Sequence, residues 1–280
     1  MPEDKKADRL DRAGVSDVPL LMHKSYTEES VFQPEHLMRE ARRQKGLGEA
    51  KVPSICVLDP DGDIVRSLTR GGRAQRDAHW ACYHTALHRF ALGDMQLGIV
   101  GNAVGASFAV LIAEELFACG CDLLVSVTSA GQIVPLADPP YFVLIEKALR
   151  DEGTSYHYLP PAMYSHLPAE LAPVLDQVAA RKSQGVYRGV TWTTDAPFRE
   201  TASAIEHCRA LSILGVEMEA AALYAFAQAR RKSVICLAHI TNTMARRDGD
   251  FDKGAAGGSG EALEMIDLVI QAWLSTRTSR

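Results

Sequence analysis

Two carboxylates, Glu217 and Glu219, lie two residues apart in the run Leu214-Gly215-Val216-Glu217-Met218-Glu219-Ala220-Ala221-Ala222-Leu223-Tyr224-Ala225-Phe226-Ala227. From Val216 onward the run predicts a helix. Ala and Leu dominate, apolar positions recur at three- and four-residue spacing, and neither Gly nor Pro interrupts. A carboxylate in a first helical turn is held ionised by the dipole and by free backbone N–H groups. In that state it is a bidentate acceptor for two neighbouring hydroxyls, such as the cis-diol of a ribose. Residues two apart on a helix point to different faces, so the pair cannot form one metal clamp, and at most one of them faces a pocket. The same pattern also serves a helix N-terminus with no ligand at all.

Other chemistry-bearing residues gather at expected strand ends. Met95 to Val100 reads as a strand, and Gly101-Asn102-Ala103-Val104-Gly105-Ala106-Ser107 turns into a helix through Ala118. The N-terminus of that helix, near Gly105, offers N–H groups to an anion. Its glycine spacing matches neither a dinucleotide fingerprint nor a Walker loop, so no nucleotide cofactor is expected. Leu123 to Thr128 reads as a strand ending in Ser129-Ala130-Gly131-Gln132, where hydroxyls and amides meet ligands in open α/β sheets. After a strand over Val186 to Thr193 comes Thr194-Asp195-Ala196-Pro197-Phe198-Arg199-Glu200. Phe198 offers a ring for stacking and Arg199 offers hydrogen-bond donors, although Phe198 taken alone suits a core position better.

Two metal readings fail. Asp59-Pro60-Asp61-Gly62-Asp63 has calcium-like spacing, but Ile64 replaces the glycine and Arg70 the glutamate that such a loop needs. His79, His84 and His88, the last two at helical spacing, have no Cys or acidic ligand near them at metal spacing and read as ordinary helix-surface or core residues. Arg70-Gly71-Gly72-Arg73-Ala74-Gln75-Arg76 is a basic turn, either anion-contacting or solvated.

The elements that must position these groups alternate between strand and helix. Ser54 to Leu58 is an expected buried strand, Phe142 to Ile145 and Ser233 to Ile240 two more, and Pro34 to Lys45, Ala169 to Arg181 and Glu261 to Leu274 helices. Leu37, Met38 and Ala41 form the inward side of the first helix; Leu263, Ile266, Val269, Ile270 and Trp273 form that of the last. The glycine-rich stretch from Asp250 to Gly260 suits a mobile lid. With no repeat or linker, the pattern predicts one α/β domain over residues 31–280, preceded by a charged N-terminal arm over 1–30. The 280 residues are 47% hydrophobic with a net charge of −5, which gives ample core and argues against nucleic acid. No run of about eighteen apolar residues and no signal peptide stand out, so a cytoplasmic, non-membrane protein is expected. The six cysteines lack paired spacing and read as reduced, mostly buried thiols.

Val216-Glu217-Met218-Glu219-Ala220-Ala221 resembles the ribose-binding signature of the nucleoside phosphorylase family, which includes purine nucleoside phosphorylase, uridine phosphorylase and related nucleosidases. The resemblance runs from about residue 50 to 275 in the order of its motifs. It implies an α/β/α sandwich with a mixed central sheet, and a homo-oligomer, dimer or hexamer. It implies that Glu219 binds the ribose 2′- and 3′-hydroxyls, with Glu217 secondary, and that Met218 packs on the sugar. Asp195, Phe198, Arg199 and Asn242 would surround the base, while Ser129, Gly131 and amides near Gly105 would cradle phosphate. An N-terminal histidine of the family reaches a neighbour's sugar; His23 is the arm's candidate.

The chain departs from the family at both phosphate-binding arginines. Leu58-Asp59-Pro60-Asp61 lacks the expected Arg, with Arg66 the nearest guanidinium, and Ser126 stands where the third strand carries another. Asn242 replaces the general-acid Asp of purine-cleaving relatives, which resembles the uridine-cleaving ones, although their adjacent arginine is Thr243 here; Arg246 or Arg247 are the nearby substitutes. The implied activity is phosphorolysis of a pyrimidine ribonucleoside, with inorganic phosphate as co-substrate and no cofactor. Hydrolysis by water and nucleoside binding without turnover stand as alternatives.

Overall fold

The computed structural model describes residues 18–182, 184–244, 250–251 and 253–278. Arg246, Arg247 and the start of the N-terminal arm lie outside them. Chain order is α1 (Pro34–Lys45), β1 (Ile55–Asp59), α2 (Asp63–Arg70), β2 (Ala74–Arg76), β3 (Leu87–Leu92), β4 (Met95–Gly101), α3 (Ala106–Ala118), β5 (Leu123–Gln132), β6 (Tyr141–Asp151), β7 (Tyr164–His166), α4 (Ala172–Arg181), β8 (Val186–Thr194), α5 (Ala202–Ala210), β9 (Gly215–Glu217), α6 (Ala220–Arg230), β10 (Ser233–Asn242) and α7 (Ser259–Thr278).

Apolar, β-branched runs such as Ile55-Cys56-Val57-Leu58 are buried on both faces and form the parallel centre β4-β1-β5-β10. Beyond β10 the sheet turns antiparallel at β6, then continues through β8 and β9, which pairs back onto β5. Five strands thereby close a ring, and β4 extends outward through β3 and β2. Helices α1, α3 and α6 pack on one face, and α2, α4 and α7 on the other, so the α/β/α layering with a mixed sheet holds. The inward residues expected for α7 are all buried, as are all six free cysteines. Among the described residues no helix is long and apolar enough to cross a membrane.

Several local expectations are corrected. The helix expected from Val216 begins at Ala220, because Gly215–Glu217 is drawn into the ring as β9. Only glycine fits that closure, since a Cβ on Gly215 would sit 2.5 Å from Ile240 Cδ1 and 3.0 Å from the Gly131 carbonyl. His84 and His88 do not share a helix; His88 lies in β3 of a hairpin joined at Gly93. Helices α2 and α5 and strands β2 and β3 go beyond the elements the pattern predicts.

Helix α6 is buried along nearly all its length, and its alanines let it lie close to the sheet. Its Tyr224 hydroxyl donates to the Ile145 carbonyl (2.6 Å) and accepts from the Cys236 amide (3.1 Å), riveting the helix to β6 and β10. Tyr224→Phe strands both backbone groups in a dry core. It should cost about 1–3 kcal/mol in denaturant unfolding. A variant that unfolds at the wild-type midpoint would show that the rivet contributes nothing.

Candidate active site

The carboxyl ends of β1, β4 and β5 converge on the N-termini of α3 and α6. Glu217, the last residue of β9, is buried and saturated. Its Oε1 accepts from Thr191 Oγ1 (3.0 Å) and Thr193 Oγ1 (2.5 Å), and its Oε2 from the amides of Glu219 and Ala220 (both 2.7 Å). It therefore acts as the cap of α6, and the expected secondary role toward ligand gives way to holding the backbone that carries Glu219.

Glu219 occupies the N-cap position of α6 instead of a first helical turn. It is 1% exposed. Its Oε1 accepts from the Gly105 amide (2.7 Å), whereas Oε2 has no hydrogen-bond partner among the described residues. The Thr128 hydroxyl stands by the same carboxylate but donates to the Ser129 carbonyl (3.3 Å). Burial first, and then the charge of Glu217, push the Glu219 pKa up to about 8. A dry carboxyl with an open lone-pair face is a site waiting for donors. Half-buried Met218 sits between the two glutamates.

The Gly105 amide, expected at phosphate, is thus committed to Glu219. Ser129, expected at phosphate through its hydroxyl, donates its amide to Asp61 Oδ2 (2.9 Å). Asp61 belongs to the loop after β1. Asp59 anchors that loop by accepting from the amides of Gly62 (3.1 Å) and Val65 (2.9 Å), and its burial raises its pKa to about 6. Gly62 holds φ 74°, and a Cβ there would meet Asn102 Oδ1 at 2.4 Å. Lys253 reaches in from the glycine-rich segment to Asp61 (3.2 Å) and Asp63 (2.7 Å), and Asp63 and Lys253 each hold the other's charged form. Arg66 is engaged by Asp63 (2.5 Å) and Asn102 (3.4 Å). The expected lid is thus tied down at Lys253, and Asp250 accepts from the Thr243 amide and hydroxyl.

Gly131 lies in the ladder opposite both Val216 and Asn242, where β5, β9 and β10 meet. A Cβ would come within 3.1 Å of Met244 and 3.3 Å of Val216, so it serves close packing. The Asn242 amide caps its own turn, accepting from the Met244 amide (2.9 Å) and donating to the Thr241 hydroxyl (3.2 Å). Asp195 accepts from the Gly153 amide (2.8 Å) and braces its loop. Phe198 is 99% exposed, so the core reading is overturned, and Arg199 beside it is exposed too. Glu200, which sequence reasoning passed over, is pushed by burial to about 7.

The expected core constellation of Glu219, Met218, Gly105, Ser129 and Gly131 is brought together, while Phe198 and Arg199 stay on the surface of the single chain. Sequence reasoning missed Thr191 and Thr193, which hide in an ordinary β-strand pattern. It rejected the Asp59 loop as a calcium site and missed Lys253, 192 positions after Asp61 in the numbering.

The chain is similar to known proteins over most of its length. The chain is 26% identical over 239 residues to a uridine phosphorylase of Thermococcus kodakarensis, covering 73% of this chain and 83% of that one. A uridine phosphorylase of Vibrio fischeri ES114 superposes with TM-score 0.67 at 21% identity, over 80% of this chain and 93% of that one. A mutant MTAN of Helicobacter pylori, solved with 5′-methylthioadenosine in its active site, gives TM-score 0.63 at 14% identity, over 78% and 98%. At those identities the structures show a shared fold. The family model described as the phosphorylase superfamily matches residues 72–271, most of the chain including the Glu217–Glu219 motif, and the chain belongs to that superfamily.

Proposed function

We propose that this protein cleaves the N-glycosidic bond of a ribonucleoside, with a pyrimidine such as uracil as the base. The observation that carries the reading is the buried, unpartnered Oε2 of Glu219 beside an oxygen already fixed by the Gly105 amide. A ribose diol supplies the two donors such a carboxylate lacks, and its arrival favours the charged form. Met218 covers the sugar. As the C1′–N bond stretches, the sugar gains oxocarbenium character and the ionised Glu219 stabilises it through the diol. Asn242 cannot act as an acid, which favours a base able to leave as a stabilised anion. Arg199 and Phe198, exposed in one chain, attend the base in an assembly whose second copy covers them.

For the acceptor, the geometry favours water. Asp61 and Asp63 pair with the two cations Arg66 and Lys253, buried Asp59 adds a third carboxyl to the same loop, and a phosphate dianion would meet like charge there. The water oxygen bonds to C1′ as the C1′–N electron pair leaves on the base, and the water's proton ends on that base. Phosphorolysis is the second reading, supported by the likeness to chains named uridine phosphorylase.

Glu219→Gln should lower kcat/KM for ribonucleosides about 30- to 150-fold, corresponding to loss of a charge-assisted acceptor, and lower it less for 2′-deoxyribonucleosides. Equal losses with both sugars would place Glu219 away from the 2′-hydroxyl. In wild-type protein the diol selects ionised Glu219, whose pKa is raised to about 8. Affinity for ribonucleosides should therefore climb as pH rises from 6 toward 8, by up to about tenfold per unit, and level off above. In Glu219→Gln that rise should vanish; a profile unchanged by the substitution would sink the assignment. Uridine should outpace adenosine in steady-state assays, with Asn242→Asp narrowing the gap, and a wild-type preference for adenosine would reverse the base assignment.

A further inference from the structure

Asp61 sits where an acceptor oxyanion would be expected. The Ser129 amide, at the carboxyl end of β5, points at Asp61 Oδ2 (2.9 Å), and Lys253 Nζ lies 3.2 Å from the same oxygen. An amide donor plus an ammonium is the donor set that holds a phosphate oxygen, and here a side chain of the protein already fills it. The carboxylate is held from both ends. Asp59 grips the turn through two amides, and Gly62 holds a left-handed φ of 74° packed against the Asn102 side chain, a conformation that favours glycine. Asp61 is also near enough to Glu219 for its charge to act there, so the filled seat adjoins the carboxylate proposed to hold the sugar.

We infer that Asp61 selects the acceptor: its carboxylate is a built-in occupant of the Ser129 oxyanion seat, which shuts out phosphate and leaves water to react. A phosphate entering this seat would have to displace a carboxylate, break its pairing with Lys253, and then face Asp63 with the charge balance worsened. Removing the Asp61 charge leaves the Ser129 amide and Lys253 in place for an external anion. The turnover arm of this inference rests on the N-glycosidic reading above; the binding arm does not.

The test compares wild type with Asp61→Asn, which keeps the shape, and Asp61→Gly, which empties the seat, after thermal melting confirms that each is folded. Titration calorimetry with inorganic phosphate is the first measurement. Wild type should bind with a Kd above about 1 mM, and both variants at least about tenfold more tightly. Product analysis with uridine is the second. Wild type should release ribose at a rate independent of phosphate, and the variants should acquire phosphate dependence and form ribose 1-phosphate. Wild-type protein that binds phosphate as tightly as Asp61→Gly would overturn the inference, as would variants that gain no affinity. If no protein cleaves any nucleoside, the proposed function fails while the calorimetry still decides the role of Asp61.

Discussion

Four donors converge on one buried carboxylate, that of Glu217, and the rest of the site depends on this knot. Thr191 and Thr193 bring β8 to it, and the amides of Glu219 and Ala220 bring the start of α6. Thr193 also accepts from the Ala221 amide, so three of the helix's unpaired N–H groups are satisfied by this one cluster. A carboxylate with two lone pairs used on each oxygen has nothing left for a ligand. What it does instead is fix the backbone at Glu219, which then has one oxygen held by Gly105 and the other left open. Two carboxylates two residues apart thus differ: one is consumed by the fold, and the other is buried with one oxygen unpartnered among the described residues.

That division has an electrostatic consequence. Burial raises the pKa of both glutamates, and Glu217, with four hydrogen bonds to its charged form, is the better placed to stay ionised. Glu219 then carries the proton near neutrality. A folded-state pKa above the unfolded value means that the native protein binds more protons between the two, so the contribution of Glu219 to stability declines as pH rises through that window. Only donors from outside reverse the trend. A buried carboxyl with one open oxygen is a stability cost, of the kind proteins carry where function requires an unsatisfied polar group.

The layered fold was legible from residue pattern because buried strands such as Ile55-Cys56-Val57-Leu58 and the inward stripe of α7 carry strong local signals. The ring was not. Closure depends on β9 pairing with β5, Gly215 opposite Gln132 and beside the Gly131 carbonyl, a contact between segments more than eighty residues apart that no periodicity records. The same closure explains why the Ala-rich run misled at its start: from Val216 onward no Gly or Pro interrupts, yet tertiary pairing with β5 and β8 overrides local propensity. Among the candidate residues, the motif singles out Glu219, which the structure buries with Oε2 unpartnered among the described residues. The saturation of Glu217 was not legible, because its partners are two threonines of a strand whose spacing shows only alternation.

The missing arginines of this chain make physical sense beside Asp61. A guanidinium serves a phosphate site by supplying charge, and a carboxylate seated on the Ser129 amide supplies the opposite charge permanently. Once that carboxylate is part of the loop, the need is for a cation that pairs with it and with Asp63 together. Lys253 meets that need as a compact point charge between the two, while Arg66 holds the outer side of Asp63 against Asn102. Ser126 lies in β5 fully buried, in register with Leu58 and Cys236, where an arginine head group would have no carboxylate within the ladder to meet it. The Asp61–Lys253 pair and a serine at position 126 thus fit a single charge distribution, in which the loop after β1 carries its own anion and the glycine-rich segment brings the cation that pairs with it.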